Sequence, residues 1–265
     1  MCVAIYKPAG AKIPSREDLE AAYNKNPHGA GIAVPSQDRK GIQIHKGYFS
    51  FEKWFKAIQK HVKKDRPAIL HARIATHGKV APGTCHPFPI CEDFEQMKKA
   101  HHSKYKGACL AHNGMLQCGN GGKKSVSDTM TFSKLLAETD LHTKAKSSKA
   151  GPWNQSIDMM TKGNKVAIMW PEGTVRLYGN WTKVAGVYWS NLRWQIFLDF
   201  DEEEEEEEKE ISPKKQTRPV KRRRNYLTTD ARSRMARTNV CPTCKSRVIR
   251  STDGMYNCTF CGLTG

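Results

Sequence analysis

Four of the nine cysteines in this 265-residue chain form two closely spaced pairs near its C terminus. The pairs are Cys241 with Cys244 and Cys258 with Cys261, and thirteen residues separate them. Between the pairs, Asp253-Gly254 lies among strand-forming residues, a pattern that predicts a β-hairpin. Two Cys-x-x-Cys pairs joined by a hairpin can bring four thiolates to the corners of a tetrahedron, the geometry of structural Zn²⁺ sites. The spacing therefore predicts a zinc ribbon, with four unliganded thiols as the alternative.

A second candidate for chemistry is Cys2, which follows the initiator methionine. Its small side chain permits removal of Met1, and this would leave a free α-amine on Cys2. Such an amine has an unperturbed pKa of about 7.7–8.0 and can act as the base for the thiol of the same residue. A cysteine at this position has no functional meaning by itself, so its interpretation depends on the rest of the chain.

Three further segments place polar residues at the ends of predicted elements. They are "HARIATHG" (71–78) with Arg73, Thr76 and His77, "AHNG" (111–114) with Asn113 and Gly114, and "SDT" (127–129) with Asp128. Each has an ordinary structural explanation when it is taken alone. Asn-Gly is typical of a hairpin turn, an aspartate that begins a helix is typical of an N-cap, and Arg73 suits a surface ion pair.

Together with "MC" at the start and "NPHGAGIA" (26–33), these segments occur in the order and spacing of the class II glutamine amidotransferases. The region from residue 2 to about residue 195 resembles that family, whose members are N-terminal-nucleophile hydrolases with a cysteine nucleophile. The resemblance implies an α+β fold, a four-layer αββα sandwich of antiparallel sheets, to which the small ribbon is appended. It also implies an activity, the hydrolysis of glutamine with release of ammonia.

The resemblance assigns the catalytic roles to three residues. Cys2 would attack the carboxamide carbon of glutamine. The side-chain amide of Asn113 and the backbone N–H of Gly114 would form the oxyanion hole. Family members usually have glycine after the nucleophile, whereas this chain has Val3, whose β-branched side chain is expected to crowd the thiol.

The resemblance also assigns the residues that would bind substrate. Arg73 would pair with the α-carboxylate of glutamine, to which a guanidinium presents a planar fork of donors. Asp128 would receive the α-ammonium group. Thr76 and His77 would add hydrogen bonds in the same pocket.

The elements that must position these side chains lie in the first 200 residues. Helices are predicted at 15–27 with Ser15 as the cap, at 50–62 with Ser50 as the cap, and from Ser127 or Asp128 to 138. Strands are predicted at 2–6, 29–34, 41–48, 67–76, 106–116 and 184–191, with a hairpin at 164–179. Strands at both ends of the region and helices between them favour an α+β domain with largely antiparallel sheets.

Composition divides the chain into an amidotransferase domain at 1–200, a charged linker at 201–239 and the ribbon at 240–265. The formal net charge is +18. Within the linker an acidic run at 201–210 precedes a basic one at 214–224, a pattern typical of a disordered, solvated spacer. The "KRRR" at 221–224, next to the ribbon, favours contact with nucleic acid or another acidic surface.

The expected setting is cytoplasmic, without a membrane. No apolar run approaches the roughly 18 residues of a membrane span, and the N terminus lacks the pattern of a secretory signal. Nine cysteines in that compartment are expected to be reduced thiols, metal ligands or a nucleophile.

The sequence as a whole predicts a glutaminase subunit that needs no cofactor for glutamine hydrolysis and holds zinc in its ribbon. No nucleotide-binding loop or phosphosugar domain is visible, so the ammonia acceptor is expected on a partner synthetase or ligase. The alternative is a catalytically silent scaffold that acts as a zinc-ribbon adaptor for nucleic acid or protein.

Overall fold

The computed structural model describes residues 2–75, 80–118, 125–147 and 151–195, together with the backbone of 248–250 and 256–258. The chain divides into two units, residues 1–210 and 211–265. The first unit contains the predicted nucleophile and is described first.

Eleven strands and six α-helices make up the described part of the first unit. The strands are β1 (Val3–Lys7), β2 (Ala30–Pro35), β3 (Ile42–Tyr48), β4 (Ala68–Ala72), β5 (Phe88–Pro89), β6 (His101–Tyr105), β7 (Cys109–Asn113), β8 (Lys165–Met169), β9 (Val175–Tyr178), β10 (Thr182–Val184) and β11 (Val187–Trp189). The helices are α1 (Arg16–Asn24), α2 (Phe51–His61), α3 (Phe94–Lys98), α4 (Asp128–Glu138), α5 (Leu141–Lys146) and α6 (Pro152–Met160), with a 3₁₀ turn at Pro82–Thr84.

The strands form two sheets in which every neighbouring pair is antiparallel. One sheet has the order β10-β11-β1-β4-β2-β3-β6, and the other has the order β5-β7-β8-β9. The prediction of a mixed fold with antiparallel sheets is therefore confirmed. Strand β1 lies inside the larger sheet, between β11 and β4, so the start of the chain is paired on both sides.

Three apolar clusters show how the sheets and helices are layered. In the first, Leu19 of α1 and Trp54 of α2 pack against one face of the larger sheet. In the second, α4, α5 and α6 cover one face of the smaller sheet, with Phe132 against its strands. The third lies between the sheets and joins residues such as Ile69 and Ala111. The order of layers is thus helices, sheet, sheet, helices.

Helix α2 shows why its sequence folds onto the sheet. Phe51, Trp54, Ala57 and Ile58 recur at helical spacing, and all four are buried. Helices α1 and α2 both begin after a serine, but only one of these serines caps its helix. Ser15 accepts a hydrogen bond from the N–H of Asp18 at 3.0 Å, whereas the Ser50 side chain makes no capping bond. Burial of the apolar stripe therefore accounts for α2 without help from a cap.

Several predicted strands have different bounds in the structure. The strand predicted at 184–191 is shorter in the structure and is β11, Val187–Trp189. Ala185 and Gly186, with φ values of 47° and 83°, instead turn the chain between β10 and β11. The strand predicted at 106–116 ends at Asn113, and the one predicted at 67–76 ends at Ala72. Strands β5 and β6 and helices α3, α5 and α6 were not predicted.

The described part of the second unit is a pair of short strands. Strands β12 (Val248–Arg250) and β13 (Tyr256–Cys258) are antiparallel, with Ile249 opposite Asn257. The predicted turn at 253–254, the predicted linker at 201–239 and three of the four predicted ligands (Cys241, Cys244 and Cys261) lie outside the described residues. Among the described helices, none has the length and apolarity to cross a membrane.

Candidate active site

The backbone of Cys2 is fixed from the strands on both sides. Val3 pairs with Ala72 of β4, and the thiol of Cys2 donates a hydrogen bond to the carbonyl of Ile74 at 3.5 Å. On the other side, the side-chain amide of Asn191, just after β11, donates to the carbonyl of Cys2 at 2.8 Å. The candidate nucleophile is therefore held at the end of an internal strand by groups distant in sequence.

Val3 does not crowd the thiol as the sequence led us to expect. Its side chain is buried in the cluster beneath α1 and α2, together with that of Ile5. Successive side chains of a strand leave it on opposite faces, so the side chain of Cys2 is directed away from that cluster. The β-branched residue is used for packing and leaves the other face to the thiol.

Arg73 lies next to Cys2, directly after β4. Its N–H donates to the carbonyl of Gly29 at 2.8 Å, and its own carbonyl accepts from the N–H of His28 at 2.9 Å. The ring of His28 in turn accepts the N–H of Ala75 through Nδ1 at 2.9 Å. These bonds fix the backbone that carries the guanidinium, which is largely buried.

The environment of Cys2 leaves its thiol in need of a base. Burial raises the pKa of this thiol above its ordinary value, while the hydrogen bond to Ile74 and the charge of Arg73 act in the opposite direction. Because burial is the largest effect, the thiol is protonated near neutral pH. A nucleophilic role thus requires a neighbouring group that accepts the proton.

Asn113 is connected to the start of the chain through one serine. The side-chain amide of Asn113 donates to the hydroxyl oxygen of Ser190 at 2.9 Å, and the same oxygen accepts the N–H of Ala4 at 2.9 Å. The N–H of Ser190 also donates to the carbonyl of Ala4. One proton of the Asn113 amide is used in this link, and the other remains for a ligand.

Gly114 occupies a position that only glycine can fill. Its φ of +142° is one that residues with a Cβ rarely adopt, and an added Cβ would lie 2.0 Å from Oδ1 of Asn164. Asn113 and Gly114 do not form the hairpin turn that was the alternative interpretation. Strand β7 pairs with β5 and β8, and the chain after Gly114 continues toward α4.

Asp128 begins α4 but does not cap it. Ser127 is the N-cap and accepts the N–H of Met130 at 3.2 Å. The Asp128 carboxylate accepts the N–H of Leu116 through Oδ2 at 2.8 Å and that of Thr129 through Oδ1 at 2.7 Å. It therefore ties the segment after Gly114 to the start of the helix.

His112 links the surroundings of Gly114 to the start of α4. No role for this residue was predicted from the sequence. Its Nδ1 lies 2.9 Å from the hydroxyl of Thr129, and its Nε2 lies 3.0 Å from Oδ1 of Asn164. Burial lowers the pKa of this imidazole, so it is neutral at pH 7. The ring thus connects the start of α4 with the residue packed against Gly114.

The predicted site residues therefore fall into three connected groups. In the first group, Cys2 and Arg73 are neighbours at the end of β4. In the second, Asn113 is connected to Ala4 through Ser190. In the third, Gly114 is connected to Asp128 through Asn164, His112 and Thr129. Thr76 and His77 lie outside the described residues. Within the described ranges, no three His, Cys, Asp or Glu side chains are arranged to hold a metal ion.

The comparisons with known proteins give limited similarity. No protein-family model matches the chain, and no curated protein matches its sequence. Among solved structures, one match is the glutamine phosphoribosylpyrophosphate (PRPP) amidotransferase from B. subtilis complexed with ADP and GMP, at 20% identity and a TM-score of 0.42. Another is the structure of the allosteric regulatory enzyme of purine biosynthesis, at 19% identity and a TM-score of 0.40. Each match covers 71% of this chain and 41% of the other, so this chain corresponds to less than half of either.

Proposed function

We propose that this chain is a class II glutamine amidotransferase subunit of the N-terminal-nucleophile type, which hydrolyses glutamine and supplies ammonia to an acceptor enzyme. The observation that supports this most is the link between the two sheets at the start of the chain. Through Ser190, the amide donor Asn113 is tied to the backbone of Ala4, which is two residues along the chain from Cys2. Cys2 itself lies beside the buried Arg73. A nucleophile, an amide donor and a cation are the groups that amide hydrolysis of an amino acid requires.

In the proposed reaction, the α-amine of Cys2 accepts the thiol proton and the sulfur attacks the carboxamide carbon. The resulting oxyanion receives hydrogen bonds from the Asn113 amide and the Gly114 N–H, and one such donor is worth about 3–4 kcal/mol. The proton then passes from the amine to the leaving nitrogen, and the C–N bond breaks to release ammonia. Water adds to the thioester with the same amine as base, and glutamate and the free thiol are formed.

Substrate orientation is assigned to charged groups around the nucleophile. Arg73 would bind the α-carboxylate of glutamine, and Asp128 the α-ammonium, with Thr76 and His77 adding hydrogen bonds. The two backbone bonds that Asp128 already accepts leave lone pairs on its oxygens for an ammonium donor. These bonds also fix the carboxylate in place before the substrate arrives.

The ammonia acceptor is proposed to be a separate synthetase or ligase. The proposal divides the chain into an amidotransferase domain (1–200), a charged linker (201–239) and a ribbon (240–265), and it assigns the acceptor role to none of them. In the ribbon, Cys241, Cys244, Cys258 and Cys261 would hold one structural Zn²⁺, a donor set of four thiolates that suits zinc. The basic linker and the ribbon would contact nucleic acid.

The test of the proposed function is a glutaminase assay on purified protein. Intact mass should show that Met1 has been removed, and glutamate and ammonia should form in equal amounts. Cys2→Ala should abolish turnover, whereas Cys91→Ala, which changes another part-buried thiol, should leave it unchanged.

An alanine inserted between Met1 and Cys2 tests the role of the α-amine. Removal of Met1 would then leave an alanine amine one residue away from the thiol, and the rate should fall by at least about 10²-fold because the general base is lost. Correctly processed protein that hydrolyses no glutamine would instead support the catalytically silent scaffold.

A further inference from the structure

Helix α2 carries a row of lysines on its solvent face. Lys53, Lys56 and Lys60 are all exposed, on the side of the helix opposite the buried Trp54 and Ile58. At 100° per residue they fall within an arc of about 60°, and they span about 10 Å along the axis. We call these three residues the lysine row.

The lysine row lacks the ion pairs that other helices of this protein have. Helices α1, α3 and α4 form the pairs Arg16–Glu20, Lys98–Glu95 and Lys134–Glu138 at 3.8, 2.7 and 3.1 Å. Within the part of the chain that the structure describes, no acidic side chain forms an ion pair with Lys53, Lys56 or Lys60. The one acidic residue of α2, Glu52, pairs with Arg16 of α1 instead.

Like charges at this spacing oppose the helix. Lys53 with Lys56 and Lys56 with Lys60 are neighbours on the helix surface, where repulsion destabilises it. The apolar face of α2 compensates for this within the fold, and among the described residues no carboxylate lies within ion-pair distance of the three ammonium groups. A row of lysines that repel one another and lack counter-ions is a surface suited to a polyanion.

The positive surface continues beyond the C-terminal end of α2. Lys63 and Lys64 are exposed there, and His61 packs against His45 with 4.1 Å between ring centroids. Burial, followed by the charges of Lys60 and Lys63, lowers the pKa of His61. The charges of Lys60 and Lys63 therefore add to the effect of burial in opposing protonation of His61.

We propose that the lysine row binds the phosphate backbone of a nucleic acid, independently of sequence. Phosphates follow one another about every 3.4 Å along the axis of one strand, so a row of about 10 Å faces about three of them. The row adds a second basic site to the one proposed in the linker. Because the row belongs to the first unit, it does not depend on the ribbon. Residues 1–200, which contain the row, hold 30 Lys and Arg against 15 Asp and Glu, a net charge of +15.

The test measures binding of the full chain to a labelled mixed-sequence single-stranded DNA by fluorescence anisotropy at several KCl concentrations. One variant carries Lys53→Gln, Lys56→Gln and Lys60→Gln, and glutamine keeps the helix propensity of lysine. The matched control carries Lys144→Gln, Lys162→Gln and Lys183→Gln. These three lysines are also exposed, and they lie in α5, in the turn before β8 and in β10, so net charge falls equally in both variants.

The lysine-row variant should bind at least about tenfold more weakly near 0.1 M salt, and its log–log salt slope should fall by about two. The control variant should keep the wild-type slope. Both should retain the wild-type circular dichroism spectrum, and glutaminase activity should also be unchanged because α2 contributes no group to the proposed site. Equal slopes in the two variants would overturn the proposal and would leave the acidic run at 201–208 of the chain itself as the alternative occupant.

Discussion

The positions of single atoms decide what the candidate site can do. Cys2 has a part-buried thiol whose pKa is raised, so the residue cannot act as a thiolate without a base close by. Asn113 has one amide proton in use and one available, and Gly114 occupies a position where no Cβ fits. In the proposed acyl transfer these groups would form a neutral oxyanion hole, and Arg73 would be a fixed cation beside the nucleophile.

Arg73→Lys and Asp128→Asn test recognition of the amino-acid end of glutamine. Lysine keeps the charge of Arg73 but loses the two parallel donors, and asparagine removes the charge that would face an ammonium. We expect each variant to raise the KM for glutamine at least about tenfold, with a smaller effect on kcat. Asparagine keeps one acceptor for the N–H of Leu116 or Thr129, so the fold should lose only about 1 kcal/mol. Unchanged KM values in both variants would remove these residues from the pocket.

Gly114→Ala tests whether the close packing of Asn164 against Gly114, in addition to backbone strain, requires glycine in the proposed oxyanion hole. Asn164 cannot simply move away from an added methyl group, because His112 holds it at 3.0 Å. Gly163→Ala is the control: it also has a positive φ, of 79°, but an added Cβ would meet nothing within 4 Å. In urea unfolding, Gly114→Ala should cost about 1–3 kcal/mol more than Gly163→Ala, and only Gly114→Ala should abolish activity. Similar losses of stability in Gly114→Ala and Gly163→Ala would show that Asn164 moves to make room for the added methyl group.

At the scale of elements, three buried histidines come together near the sheet interface. His71 of β4 and His86 have ring centroids 4.2 Å apart, and His112 of β7 lies 6.4 Å from His86. Burial lowers the pKa of all three, that of His71 to about 3. They are neutral in the folded protein at pH 7, and they contribute to the stability of the fold through ring packing and, in part, through hydrogen bonds.

This arrangement predicts loss of stability in acid. Unfolded histidine has a pKa of about 6.5, so below that pH the unfolded chain binds more protons than the folded one, and the free energy of unfolding falls as pH falls. Each histidine contributes up to about 1.4 kcal/mol per pH unit between about 6 and its folded pKa. Urea unfolding at pH 7.5, 6.5 and 5.5 measures the slope.

His86→Phe should reduce that slope by the contribution of one histidine. Because His45, His61 and His102 also have lowered pKa values, this is about one sixth of the slope when all six contribute equally. Within the described residues neither ring nitrogen of His86 has a hydrogen-bond partner, and the ring already packs 4.7 Å from that of Phe88. Phenylalanine can therefore replace it without leaving a partner unsatisfied. A slope identical to that of the wild type would mean that His86 has the same pKa in the folded and unfolded states.

Local signals predicted elements well and failed where contacts are distant in sequence. Ser15 marked the start of α1 correctly, and the alternating residues of β2 and β3 predicted a pair that the structure contains. The strand β6, "HHSKY", has no apolar alternation and depends on its pairing with β3. The role of Ser190, which accepts bonds from residues 77 and 186 positions away, has no local signal at all.

At the scale of the whole molecule, the candidate active site and the cysteines of the proposed ribbon lie in different units. Every described contact of the candidate site lies within residues 1–210, and the four cysteines of the proposed ribbon lie in 211–265. The proposed glutaminase should therefore work without the second unit, and the second unit should need its own source of stability.

A chain ending at residue 210 should fold, hydrolyse glutamine at nearly the parent rate and contain no zinc. The full chain should contain one zinc per molecule by elemental analysis, since four thiolates are available. Cys258→Ser in the full chain is the matched control, which should lose the metal while keeping glutaminase activity. A truncated protein that is folded but inactive would show that the two units share the site.

The placement of β1 has a consequence for biosynthesis. The N terminus leaves the ribosome first, but its strand is enclosed only when Ile5 and Tyr6 pair with Trp189 and Tyr188 of β11. At about 5–20 residues per second, some 10–40 s separate the two events. During that interval β1 is unpaired, so a processing aminopeptidase can still reach the residue that precedes Cys2, as the proposed mechanism requires. Under that mechanism, protein refolded from chains that keep this residue should show no glutaminase activity.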